Sequence, residues 1–265
     1  MRRGVLIGGT ILGMVVLAWI LSLLGAYDVM GDVDIQRASA HPSSAHLLGT
    51  DHLGRDVLWR MITASEAFVG PGILAAMVAL LVGGLSGALA GWKGGIWGEA
   101  IRYFFTVLSS FPRFVVVLLV CSIYGSSVWT IATACAMAYT PAMVESVYTR
   151  VAWFRVADFV LAAEAHGVHS RRILFFHLLW VNCRHLIGRH LISLFAYLVL
   201  VESTLSYIGD FGVMEPAPSW GNMIAFEWGV WEGNPWATWC PIAAIWLVIL
   251  GCALLVEGLR EDLHA

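Results

Sequence analysis

Apolar residues run almost without interruption through six segments of the chain: 4–27, 68–91, 101–124, 128–147, 186–208 and 236–256. Each meets the roughly 20 mainly apolar residues that a helix needs to cross the hydrocarbon layer of a bilayer. The runs are continuous, not alternating, so they do not read as strands of a membrane barrel. A helix satisfies its backbone hydrogen bonds within one segment, which is the condition for lying in lipid. The pattern therefore predicts an all-α integral membrane protein with about six transmembrane helices. The first run follows Arg2 and Arg3 and outlasts the apolar region of a cleavable signal, about 7–15 residues. A retained first helix over 1–27 is the expectation.

Six spans put both termini on one side, and charge says which. Arg2, Arg3, Lys93, Arg102, Arg150, Arg155, Arg171, Arg172, Arg184, Arg189 and Arg260 fall on that side. The other side has only Arg37, Arg55 and Arg60, with Asp28, Asp32, Asp34, Asp51, Asp56, Asp210, Glu215, Glu227 and Glu232. Positive charge marks the cytoplasmic face, so both termini are expected there. The last Arg, Arg113, falls inside the third run and is expected to snorkel to the cytoplasmic interface. The implied organisation is a first helix (1–27), an extracytoplasmic loop (28–67) and a five-helix core (68–257). That core includes a cytoplasmic loop at 149–185, and a cytoplasmic tail follows at 258–265.

Composition agrees with this picture. Of 265 residues, 59% are hydrophobic and only 12% charged, against roughly 25% charged in an average soluble domain. A net charge of −3 gives no basic surface for nucleic acid. The five cysteines are scattered through apolar runs without a CxxC, which reads as small buried residues. The single lysine, Lys93, follows Trp92, so no Gly-Lys-Ser/Thr phosphate loop exists and the chain holds no ATPase site of its own. No catalytic array is present, and none is expected.

The cytoplasmic segment FVLAAEAHGVHSRRILFFHLLW (159–180) reads as two short helices around Gly167, the usual residue just past a helix end. Ser170 is placed to cap the second of them. On the outer face, GTDHLGRD (49–56) offers Arg55 to either Asp51 or Asp56, with Gly49 and Gly54 for tight turns. His41, His46 and His52 lie close together in sequence here; they are either solvated loop residues or a metal relay. Glu202, near the outer end of the fifth run, is a candidate path or interface residue together with Ser206. Small residues at Gly83, Gly87 and Gly91 predict close helix packing, inside the subunit or against a partner. Trp220, Trp228, Trp231, Trp236 and Trp239 are expected at the outer interface.

Taken together these motifs resemble the permeases of ATP-binding-cassette importers, in the dipeptide, oligopeptide and nickel branch. LAAEAHG followed by RRILFFHLLW is similar to the family's cytoplasmic "EAA" loop. HLLGTDHLGRDVLWRM (46–61), ESTLSYIGDFGV and PAPSWGNMI (202–224), PW (235–236) and GLREDL (258–263) match further signatures in family order. The Gly-Thr-Asp segment marks the second of two permease subunits. The resemblance implies a type I importer fold and a location in the bacterial cytoplasmic (inner) membrane. It implies as partners a second permease, two ATP-binding subunits that hold ATP and Mg, an extracytoplasmic substrate-binding protein, and lipid. Leu161, Ala162, Ala163, Glu164, Gly167, Arg171 and Arg172 would couple to the ATPase; His46, Gly49, Thr50, Asp51, Gly54, Arg55 and Asp56 would form the family's outer loop. Short peptides are the implied cargo, with nickel or a metal chelate as the alternative. The motif also departs from the pattern: Leu161 stands where the family has Glu, Trp180 where it has Pro, and Asp210 where it has an apolar residue. Residues 144–148 lack the family's arginine-rich element. A non-transporting membrane scaffold with a degenerate loop is the reading those departures leave open.

Overall fold

The computed structural model describes residues 2–25, 33–209, 211–228 and 233–261. Asp28, Asp32, Asp210, Trp231, Glu232 and the end of the tail lie outside the described residues. Among the described residues the regular structure is helical apart from one isolated bridge between Thr50 and Asp56. The helices are α1 (Arg2–Leu23), α2 (Val57–Thr63), α3 (Val69–Val78), α4 (Leu85–Lys93), α5 (Gly95–Ser109), α6 (Arg113–Tyr124) and α7 (Val128–Arg155). They continue with α8 (Asp158–Ala165), the short α9 (Ser170–Arg172), α10 (Arg184–Ile208), α11 (Trp220–Glu227) and α12 (Trp236–Glu261).

Four described helices are long and apolar enough to cross a membrane: Arg3–Leu23, Val57–Lys93, Arg184–Ile208 and Trp236–Arg260. The second of these begins eleven residues before the expected 68, because the Asp56 side chain caps α2 by accepting the N–H of Trp59. The stretch 57–67, expected as part of the outer loop, is helical. The third expected span, 101–124, is broken: α5 and α6 meet at 82°, and the pair makes a fifth crossing only if counted as one. The fourth, α7, runs 28 residues, about 42 Å, but is less apolar than the others. It is the central helix, packed by α3, α4, α5, α6 and α10. Surrounded by protein, it needs small side chains more than oily ones, and Ala132, Ala134, Ala136 and Thr140 are buried along it.

The glycine row on α4 explains its close contact with α7. A Cβ at Gly87 would sit 2.7 Å from the Val144 carbonyl oxygen, and one at Gly91 would sit 2.8 Å from that of Tyr148. The contact is within the subunit. Gly87→Leu is expected to push the two backbones apart, costing more than the 1–3 kcal/mol of ordinary overpacking. The check is the yield and thermal midpoint of the detergent-solubilised protein; a wild-type midpoint would refute the packing account.

A second layer closes the outer end. α1 packs along α12, and α11 lies between α10 and α12. Trp220 is buried there against Phe68, with ring centroids 4.5 Å apart. It is a core residue, unlike Trp228, Trp236 and Trp239, which are half exposed as an interfacial belt requires.

Candidate functional site

The outer segment is held by a buried ion network. The Asp51 carboxylate accepts the N–H groups of Leu53 and Arg55, both at 2.9 Å, and the Nε–H of Arg55 at 2.7 Å. Arg55 then turns its other nitrogens to Glu215, at 2.5 and 3.2 Å. Arg60 donates to the same Glu215 at 2.8 Å and lies 3.4 Å from Asp51. Two cations thus meet two anions, with Asp51, Arg55 and Arg60 all buried. Arg55 pairs with Asp51 as the spacing suggests, but not with Asp56. Asp56 instead caps α2 and lies 2.8 Å from His46 Nδ1. Gly54, at φ +80°, makes the turn, and a Cβ there would come within 1.8 Å of the Asp34 carbonyl oxygen. Gly49, at φ +74°, is equally confined against Ala40. Thr50 is buried, and its hydroxyl binds the Arg37 carbonyl. Asn234 reaches across to the carbonyls of Leu48 and Thr50 at 2.7 and 3.1 Å.

The three histidines are not gathered into one site. His46 goes to Asp56, His41 is exposed, and His52 lies 2.6 Å from Glu227 Oε1. Among the described residues the grouping at metal-ligand spacing is Asp51, His52 and Glu227. Asp51 is already committed to Arg55 and two backbone donors, so the arrangement serves as a staple. The hydrogen bond to Glu227 outweighs burial and raises the His52 pKa. A raised pKa gives stability that is complete below the unfolded value, about 6.5, and lost as pH climbs through the folded value. Thermal midpoints of the solubilised protein should therefore fall between pH 6 and pH 9, and His52→Gln should flatten that fall. Parallel slopes in the two proteins would discard the staple.

Glu202 and Ser206 are buried inside the subunit. The Ser206 hydroxyl donates to Glu202 at 2.7 Å and accepts the N–H of Val213 at 2.8 Å. Gly212 must lie close here: its Cβ would meet Ser206 Oγ at 2.4 Å. The pair anchors the connection that carries Glu215 to Arg55 and Arg60. Asn222 completes that connection through Val213, Ala217 and the Ser219 capping box.

The other end of α10, about 37 Å away, carries the loop at 149–185. α8 ends at Gly167, φ +78°, where the N–H groups of Gly167 and Val168 return to the carbonyls of Glu164 and Ala163. His169, not Ser170, occupies the next N-cap position, and no side chain caps it; Ser170 is already helical. The following helix widens to π-helical geometry over Ile173–Asn182. Val160, Ile173, Leu174 and Leu178 bury one side of the loop in the core. Leu161, Ala162, Glu164, Gly167, Arg171 and Arg172 are exposed on the other, and Ala163 is half-buried. Leu161 and Glu164 are three apart on one helix, hence neighbours on its surface. Phe175, Phe176 and Trp180 add exposed aromatics.

Sequence reasoning missed a third feature, the elbow between α5 and α6. Arg113 sits at this bend, a whole α5 length from the connection at Lys93. Its guanidinium lies over the Tyr139 ring at 4.6 Å. Nearby, Arg102 pairs with Glu99 at 3.0 Å and more loosely with Glu145 at 3.7 Å, and the Tyr148 hydroxyl donates to Glu99 at 2.5 Å. Between α5, the elbow and α7 lies a cavity of about 410 Å³.

The described residues thus form a helical, apolar core closed at one end by an ion-locked cap and exposing a two-helix loop at the other. The family model for the inner membrane component of binding-protein-dependent transport systems matches residues 83–262. The chain belongs to that family. It is 29% identical over 222 residues to a dipeptide transport system permease of Alkalihalophilus pseudofirmus, covering 84% of this chain and 72% of that one. It is 28% identical to a glutathione transport system permease of Pectobacterium atrosepticum (96% and 83% covered). It is 27% identical to an oligopeptide transport system permease of Bacillus subtilis (97% and 84% covered). The fold is similar to that of the MetNI methionine ABC transporter in an inward-facing conformation, with TM-score 0.53, 13% identity, and 78% of this chain and 96% of that one covered.

Proposed function

We propose that this chain is the second permease of an ATP-driven importer of short peptides in a bacterial inner membrane. It works with another permease, two ATPase subunits and an extracytoplasmic binding protein. ATP and Mg²⁺ are bound by the ATPases, since Lys93 is the chain's only lysine and follows Trp92, leaving no phosphate loop here. The observation that carries the cargo is the agreement of relatives named for dipeptide, oligopeptide and glutathione transport over most of the chain. The nickel alternative loses part of its sequence motive: His46 and His52 are engaged separately with Asp56 and Glu227, and His41 stands apart, exposed.

The mechanism follows from the layout. ATPase closure pushes on α8 and its exposed face. The buried side, through Val160, Ile173 and Leu178, passes that displacement to α7 and, through Cys183, to the start of α10. The outer cap holds the far ends of α2, α10 and α12 together through Glu215 and Asn234, so the spans move as packed bodies and not singly. The test is reconstitution of the full complex in proteoliposomes. ATP-dependent uptake of a short peptide, outcompeting nickel, is expected; nickel uptake insensitive to peptide would reverse the cargo, and a purified chain that never binds an ATPase would support the scaffold.

A further inference from the structure

We infer that the cavity at the α5–α6 elbow is a transit site for the two charged ends of a peptide, Arg113 taking the terminal carboxylate and Glu145 the terminal ammonium. The inference rests on the reading of the cargo as a short peptide. The cavity's 410 Å³ falls within the range of small-ligand sites, about 300–1,000 Å³. Its wall mixes Arg102, Arg113 and Glu145 with the hydroxyls of Thr106 and Ser109 and with Pro141.

Depth makes these charges informative. α5 runs about 22 Å from its start at Gly95 to the elbow, so a crossing along its axis sets the bend within a hydrocarbon layer about 30 Å thick. Ionisable groups at that depth face cavities or partners because lipid will not solvate them. The charges present are unequally satisfied. Glu99 is held by both Arg102 and Tyr148, and Arg102 is occupied by Glu99. Among the described residues Arg113 has no carboxylate partner, only the Tyr139 ring, and Glu145 has only the loose 3.7 Å approach of Arg102. With Glu99 behind the wall offsetting Arg102, the lining leaves one spare positive pole, Arg113, and one spare negative pole, Glu145.

The offset along α7 between the two poles is of peptide length. Tyr139, which carries Arg113, and Glu145 are six residues apart on α7, about 9 Å along the axis. An extended chain advances about 3.3–3.6 Å per residue, so the termini of a tripeptide span that distance. Pro141 lies between the poles and removes one helix hydrogen bond, leaving the Met137 carbonyl without its usual donor. A single metal ion has no use for two poles of opposite sign this far apart.

The complete transporter in proteoliposomes provides the test, with trialanine, its C-terminal amide and its N-acetyl form each loaded on the binding protein. In Arg113→Gln the uptake ratio of free peptide to amide is expected to fall about tenfold, as loss of a charge-assisted hydrogen bond implies. In Glu145→Gln the ratio of free to N-acetyl peptide should fall likewise, and Arg113→Lys should keep most of the wild-type ratio. Ratios within one variant are independent of how much complex assembles. If a variant does not assemble, or the binding protein refuses a capped peptide, Ser109→Cys decides: its alkylation should slow at least threefold when trialanine is transported. Wild-type ratios, or unslowed alkylation with trialanine uptake intact, overturn the transit site and leave the peptide reading standing. A wild-type complex that imports none of the three overturns both.

Discussion

Arg55→Met is expected to release the outer cap and destabilise the protein by about 3–5 kcal/mol, the usual cost of stranding one partner of a buried ion pair. Arg55 is the hub: its side chain is 2% exposed and joins Asp51, four residues before it, to Glu215, 160 residues after it. Removing it leaves Asp51 buried with only its backbone donors and Arg60 at 3.4 Å. Glu215 keeps Arg60 and is partly exposed, so it loses less. The double variant Arg55→Met/Asp51→Asn should cost less than the sum of the singles, because Asn still accepts the N–H groups of Leu53 and Arg55 and no charge is left stranded. Thermal unfolding and protease cleavage within 33–56 measure both. An Arg55→Met protein with the wild-type midpoint and cleavage pattern would show that the network carries no stability.

The partners of this hub show where sequence reading stops. Asp51 and Arg55 are four apart, and that spacing made their pairing legible. Arg60, Glu215, Glu227 and Asn234 were not legible as partners, because contacts over more than 150 residues leave no local periodicity. Proline shows the same limit within the spans. Pro112 and Pro141 carry an equal local signal, a missing donor inside an apolar run. Around Pro112, Phe111 and Arg113 are exposed and nothing holds the chain straight, so the helix breaks by 82°. Pro141 is buried among Thr140, Met143 and Val144, with the Thr140 hydroxyl donating to the Ala136 carbonyl, and α7 runs on through it. Packing, not the proline, decides which helix bends. Every apolar run is helical, as lipid requires of such segments, but the run at 101–124 is broken and the one at 128–147 falls short of the apolarity of the four clear spans.

On the proposed coupling role of α8, Leu161→Arg is expected to leave the fold intact and to release the ATPase subunits. The leucine is 52% exposed on α8, and surface changes usually stay within about 0.5 kcal/mol. At an interface the same change places a long charged side chain where the neighbouring Ala162 and Ala163 allow close approach. A central contact of that kind is worth about 2 kcal/mol or more, so ATPase affinity should drop by about 30-fold. Ile173→Ala is the counterpart from the buried side of the same loop. Ile173 is fully buried, and its truncation should cost about 2–5 kcal/mol of fold stability. The two variants therefore separate docking from folding: Leu161→Arg keeps its thermal midpoint and loses co-purifying ATPase and peptide uptake, while Ile173→Ala loses the midpoint first. Leu161 replaces the family's Glu, with Glu164 three residues on, so Leu161→Glu is expected to retain docking because it adds an acid to a face that already presents one. If Leu161→Arg binds ATPase and imports peptide like the wild type, this face of α8 is not where the ATPase docks.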